Sequence, residues 1–247
     1  MIVACIIQAR MGSTRLPGKV LLPLVGKPML HHVIDRVADC KTVTNIVIAT
    51  TTKDRDDEII KAVEGYNAKT STFRGSEDDV LDRYYQAAKA VNADIVIRVT
   101  SDCPLIDPEI IDEVVQKLLD DPTLDYSSNV LGKLTFPRGL DVQAIRMSTL
   151  EKIWNITTEP EDREHVTIYL RKHPEGFKTD KITLNPPHSD YRWTVDEEDD
   201  FKLVKEIYSR LYPTKPKFRM NDILKLMEEH PELPEINRHV HQKLSQF

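Results

Sequence analysis

Arg10, Arg15 and Lys19 lie close together, interleaved with Gly12, Ser13, Thr14 and Gly18, directly after the apolar run from Ile2 to Ile7. Guanidinium and ammonium groups neutralise an anion, and glycines let backbone N–H groups approach it without steric bulk. A strand that delivers such a loop suits a polyphosphate. Charge and reach assign Arg10, Arg15 and Lys19 to the phosphates, with Lys19 on the β/γ end, and Ala9, Gly12 and Ser13 to the loop that wraps them. The first 34 residues hold no Asp or Glu, although the chain has 40 acids against 34 Lys plus Arg. At the mean density about five acids would be expected there, so the gap is a local charge pattern.

The loop is not a Walker motif. That motif places four residues between its glycines and a Ser or Thr after its lysine. Here Gly12 and Gly18 enclose five residues, and Val20 follows Lys19. No G-x-G-x-x-G is present either, which removes support for a nicotinamide enzyme.

Other chemistry-bearing residues are scattered. Asp102 follows a predicted strand, at the edge where open α/β sheets hold ligands; a turn before Pro104 is its alternative duty. Asp196 also follows a predicted strand, and it opens a run of five acids that would equally answer a helix dipole. Arg74 and Gly75 precede a predicted helix, within reach of a nucleotide or an acceptor, unless Arg74 pairs with Glu77 or Asp78. Arg138 and Asp141 flank the flexible Gly139. Arg163, Glu164 and His165 are consecutive on a predicted helix, where neighbours are rotated by ~100°, so all three cannot enter one pocket. Arg163 and His165 are candidates for a carboxylate or phosphate, as is Arg192 beside Trp193. Asp54-Arg55-Asp56 matches the Asp-x-Asp metal motif of glycosyltransferases, yet it begins a predicted helix.

These residues need a scaffold. Runs over 2–8, 45–51 and 94–100 are rich in β-branched residues and apolar almost throughout, as strands covered on both faces are. Helical spacing follows each, over 28–37, 54–63, 76–91 and 108–119, with Ser76 to Asp79 reading as a capping box. Alternating strands and helices predict an α/β fold with a doubly wound, mostly parallel sheet. After about residue 125 the rhythm loosens. Short helices are expected near 148–151 and over 161–173, strands over 178–184 and 191–195, then helices from 196 and over 221–229. The chain reads as a single domain over 1–247, with an excursion over 129–187 after the fourth βα unit that serves as acceptor site, lid or dimer contact.

Composition narrows the class. Forty per cent hydrophobic and 30% charged residues describe a globular protein, and a net charge of −6 without a broad basic stripe argues against nucleic-acid binding. Cys5, Cys40 and Cys103 fit no zinc spacing, and free thiols are expected. No apolar run approaches ~18 residues and no signal-type start is present, so no membrane contact and a cytoplasmic location are expected. His239 and His241 lack ligand partners and read as a solvated tail.

The stretch Gln8-Ala9-Arg10-Met11-Gly12-Ser13-Thr14-Arg15-Leu16-Pro17-Gly18-Lys19 resembles the nucleotide-binding signature of the CMP–sugar-acid synthetases, which include the CMP-Kdo and CMP-sialate enzymes. It is most similar to the SpsF-like branch, named after a spore coat polysaccharide biosynthesis protein. Gly26-Lys27-Pro28-Met29-Leu30, Ser101-Asp102-Cys103-Pro104-Leu105-Ile106 and Thr194-Val195-Asp196-Glu197 continue the likeness in order. The resemblance implies a Rossmann-like fold of the nucleotide-diphospho-sugar transferase type. It implies transfer of CMP from CTP to a sugar acid or phosphorylated small molecule, with release of pyrophosphate, in cell-surface polysaccharide biosynthesis. Mg²⁺ would be held by Asp102 and Asp196, Arg138 and Asp141 would face an anionic acceptor, and a homodimer is expected. The acceptor motifs of the CMP-Kdo and CMP-sialate enzymes are not recognisable here. Nucleotide-sugar-dependent glycosyl transfer and a non-catalytic nucleotide-binding module are the alternatives.

Overall fold

The computed structural model describes residues 1–242. Its sheet has seven strands: β1 (Val3–Gln8), β2 (Asn45–Thr51), β3 (Thr70–Gly75), β4 (Ile95–Thr100), β5 (Tyr126–Ser128), β6 (Gln143–Arg146) and β7 (Thr179–Lys181). They lie in the order β3-β2-β1-β4-β6-β5-β7. β1 pairs in parallel with both β2 and β4, and β2 with β3. β6 runs antiparallel to its neighbours β4 and β5, so one strand of seven is reversed. The architecture is the α/β, mostly parallel sheet that the alternating pattern predicts.

Period-two alternation explains why the central strands read as unbroken apolar runs. Val3, Cys5 and Ile7 enter one core, and Ala4 and Ile6 enter the other. The first core is closed by α1 (Met29–Ala38), α4 (Pro108–Asp120), α8 (Glu198–Leu211) and α9 (Met220–Glu229). The second is closed by α3 (Val80–Ala90), α5 (Met147–Ile156) and α7 (Ile168–Lys172). The short helices α2 (Asp57–Val63) and α6 (Pro160–Glu164) complete the set. Among the described residues, no helix is long and apolar enough to cross a membrane. Cys5, Cys40 and Cys103 are free and buried.

Four local expectations give way. β3 was not legible because it is an edge strand with exposed Ser71, Thr72 and Arg74, so it carries no apolar run. α3 begins at Val80, where Asp79 is the cap and accepts from the Asp82 N–H at 2.9 Å. The helix expected over 161–173 is split into α6 and α7, with Val166 at φ 57 between them. Residues 191–195 form no strand; a single bridge joins Arg192 to Arg138.

His32 of α1 is sealed in the first core at 2% exposure. Its Nε2 faces the Leu24 carbonyl oxygen at 2.6 Å, which requires that nitrogen to donate. Burial pushes the imidazole down to about 4. The unfolded chain therefore takes up this proton first as pH falls, and stability is lost between about pH 6.5 and pH 4. The full contribution is up to about 3 kcal/mol. Urea titrations across that range should show a pH dependence that His32→Gln flattens; an unchanged slope refutes the assignment.

Candidate functional site

The loop 9–19 leaves β1 at its carboxyl end and is tied down by its own backbone. Both the Ser13 and Gly18 N–H groups donate to the Met11 carbonyl oxygen, at 2.9 and 3.1 Å. Of the pair Gly12 and Ser13, the Gly12 N–H is thus the donor left for a ligand. The Met11 N–H is held by Asp56 Oδ1 at 2.7 Å, and Asp56 is fully buried. Asp56 of Asp54-Arg55-Asp56 is therefore a strut for the loop, not half of a metal motif. A Cβ on Gly12 would lie 2.8 Å from Arg55 Nη2, so a side chain there would push the Arg55 guanidinium aside.

Lys19 is the centre of the arrangement. Its Nζ donates to Asp102 Oδ2 at 3.1 Å, to Asp196 Oδ1 at 2.9 Å and to the Val195 carbonyl oxygen at 2.7 Å. Burial works against the ammonium charge, but Asp102 and Asp196 outweigh it and hold the pKa above the usual lysine value. The two acids meet because the Val195 N–H donates to the Asp102 carbonyl oxygen at 2.8 Å. Residues 83 or more positions away from Lys19 in the chain are thereby placed around one cation. Burial would raise the Asp196 carboxyl, yet Lys19, Arg15 and Arg192 together keep it below the usual carboxylate range.

Two cavities open on either side. The first, about 480 Å³, is lined by Ala9, Arg10, Gly12, Ser13, Arg15 and Lys19, with Arg83, Glu164 and His165 across from them. The second, about 490 Å³, is lined by Arg138, Asp141, Gln143, Arg171 and Thr194, among others. Arg15, Arg98, Thr100, Asp102 and Asp196 belong to both and form the shared wall. Within 129–187, seven residues line the second cavity (Val130, Gly132, Leu134, Arg138, Asp141, Gln143, Arg171) and three the first (Pro160, Glu164, His165), so the excursion mainly builds the second. Burial lifts the Asp141 carboxyl above its ordinary range despite Arg138 and Arg98. Arg138 Nη1 stands 3.9 Å from it.

Several expected site residues serve elsewhere. The Arg74 guanidinium donates to the Thr51 and Lys53 carbonyl oxygens at 2.9 Å each and pairs with Asp57, outside both cavities. Its neighbour Gly75 also lines neither, and a Cβ there would meet Arg83 Cγ at 3.0 Å. Arg163 clasps Asp79 at 2.7 Å and the carbonyl oxygens of Trp154 and Thr157, so it is the structural member of its triplet. His165 reaches the first cavity, not the second. Arg192 holds Asp200 at 2.9 and 3.1 Å and Asp196 at 2.9 Å, and its Nη1 donates to Gln242 Oε1, which makes it a brace for Asp196 with every guanidinium nitrogen engaged. Arg10 lies on the rim, 3.9 Å from Glu77.

The residues that sequence reasoning missed are Arg83, Arg98 and Arg171. Arg98 had a signal: it is the one charged side chain inside the apolar run of β4. Arg83, on the buried face of α3, had none, because its role depends on the carbonyl oxygens of Ser76 and Glu77.

Asp102 and Asp196 converge on one ammonium, and a lysine cation between two carboxylates is a stand-in for a metal cation. Among the described residues no three His, Cys, Asp or Glu side chains are arranged to hold a metal ion, so an all-protein cage is absent. Two carboxylates completed by phosphate oxygens and water suit Mg²⁺. The residues fit the ion.

Comparisons with known proteins find relatives along nearly the whole chain. The family profile described as cytidylyltransferase matches residues 4–241. The chain is 35% identical over 239 residues to the spore coat polysaccharide biosynthesis protein SpsF of Bacillus subtilis, covering 92% of this chain and 94% of that one. It is 32% identical over 179 residues to a 3-deoxy-manno-octulosonate cytidylyltransferase of Geobacter sulfurreducens, covering 72% and 65%. A solved cytidylyltransferase structure from Leptospira borgpetersenii superposes with a TM-score of 0.90 at 34% identity, over 100% of both chains.

Proposed function

This chain belongs to the cytidylyltransferase family, and from that membership we propose that it transfers CMP from CTP to an acidic small molecule, with release of pyrophosphate, in polysaccharide biosynthesis. The observation that carries the reading is the Lys19 clamp on Asp102 and Asp196, set in a wall between two cavities of similar size. Such a wall allows a donor on one side and an acceptor on the other to meet at one phosphorus.

In this reading CTP enters the first cavity, where Arg10, Arg15, Lys19 and the Gly12 N–H receive the triphosphate. Asp102 and Asp196 would hold Mg²⁺, which would supply charge screening for the oxygens of the triphosphate. The acceptor lies in the second cavity, on the side of Arg138 and Asp141. Its oxygen bonds to the α-phosphorus as the bond to the β-phosphate oxygen breaks and pyrophosphate leaves. The protein contributes mainly position and charge. A phosphate acceptor needs no base. A hydroxyl acceptor does, and Asp141, with its nearest cationic nitrogen 3.9 Å away, is placed to take that proton. An acid as acceptor is supported by the name of the Geobacter relative.

Pyrophosphate release should be measured with each of four triphosphates against 3-deoxy-manno-octulosonate, other sugar acids and sugar phosphates. Release is expected with CTP, a divalent ion and an acidic acceptor together, and should vanish with EDTA. Absence of release with every triphosphate, alongside turnover of a nucleotide sugar, would replace this reading with glycosyl transfer.

A further inference from the structure

Arg98 lies at position four of the six-residue strand β4, in the middle of the sheet. A guanidinium in a buried strand is costly unless it is paired, and an unmet buried donor costs about 1–3 kcal/mol. Yet Arg98 Nε is buried with no hydrogen-bond partner among the described residues. Its side chain lines both cavities. The neighbouring cations are engaged: Lys19 with Asp102 and Asp196, and Arg15 with Asp196 and Glu197 at 3.2 Å each. Arg171 enters the second cavity from α7, and Arg138 faces it with Asp141 no closer than 3.9 Å. Three guanidinium groups with unspent donors thus meet one concave space, from a strand, a loop and a helix.

Resting on the transfer reading above, we infer that Arg98, Arg138 and Arg171 form an anion grip for the acceptor. Arg98 is its floor and fixes the acid group against the wall that carries Asp102 and Asp196. The ligand chemistry is a planar or tetrahedral oxyanion, a carboxylate or a phosphate, which guanidinium groups meet with paired N–H donors. Arg98 also explains how the acceptor is aligned: a rigid strand holds its anionic end while its nucleophilic oxygen faces the first cavity. A strand-borne cation positions more narrowly than one on a loop, because the backbone on either side is bonded to β1 and β6.

The test uses the full chain loaded with Mg²⁺ and a non-hydrolysable CTP analogue. Titration calorimetry compares 3-deoxy-manno-octulosonate with its methyl ester, and ribose 5-phosphate with ribose. The acidic member of at least one pair should bind more tightly than its neutral partner, and the pair that does so identifies carboxylate or phosphate. Arg98→Gln and Arg171→Gln should each weaken that acid on the order of 10²-fold, and Arg171→Gln, whose side chain lines the second cavity alone, should leave affinity for the CTP analogue within a few-fold. Arg98→Lys should recover part of the loss. Arg171 lies on an exposed helix position, so its variant keeps the test decisive if Arg98→Gln does not fold. Acids that bind no better than their neutral partners, or a preference that survives both substitutions, overturn the grip while leaving CTP transfer intact. Failure of the wild type to bind the CTP analogue overturns the transfer reading itself.

Discussion

Lys19→Met lowers turnover with CTP by about 10²–10³-fold, the usual cost of removing one positioned charge from a site where charge develops. The same substitution has an opposite effect on metal binding without nucleotide. In the wild type the ammonium already sits at 3.1 and 2.9 Å from Asp102 and Asp196, so an incoming ion must displace it. Without it, two carboxylates face each other with Arg15 and Arg192 as the remaining counter-charges, both of them on the Asp196 side. Mn²⁺ titrated into the nucleotide-free protein and followed by electron paramagnetic resonance should bind Lys19→Met more tightly than wild type. Weaker Mn²⁺ binding by the variant would show that Lys19 does not occupy the cation's place. Wild-type turnover in the variant would remove Lys19 from the chemistry altogether.

Asp102→Asn and Asp196→Asn should each reduce turnover by about 10³-fold, because each removes a charge that would hold the ion. They should differ in stability. Asp102 is paired with Lys19. Asp196 is paired with Lys19, Arg15 and Arg192, the last at 2.9 Å, and is 13% exposed. Removing one partner from a buried ionic network leaves the others uncompensated, which costs about 3–5 kcal/mol. Denaturant unfolding should therefore place Asp196→Asn well below Asp102→Asn, although their losses of activity are alike. Equal stabilities would mean that the Arg15 and Arg192 contacts contribute little to the fold.

The parts legible in the sequence were those where chemistry stood out against its background. A cationic, acid-free loop after an apolar strand marked the place of Lys19, and acids just past two predicted strands marked Asp102 and Asp196. The core alternation of β1, β2 and β4 was legible for the same reason, since covered strands leave a dense apolar trace. What depends on distant partners was hidden. Arg192 and Arg163 looked like free cations until Asp200 and Asp79 were seen against them. Arg98 was masked by the apolar strand around it, and β3 by the polar surface an edge strand can tolerate. The reversal of β6 follows from its pairing with β4 and β5, a long-range choice that no local pattern records.

The division of labour between the two cavities has an evolutionary corollary. The first cavity is assembled mainly from the loop after β1, the start of α3 and the loop after β4, whereas seven of the fifteen residues lining the second come from one stretch, 129–187. Drift, insertion or recombination within that stretch can reshape the second cavity while the loop that carries Arg10, Arg15 and Lys19 is inherited unchanged. Chimaeras that graft the corresponding segment from a homologue of different preference offer a direct route to altered products.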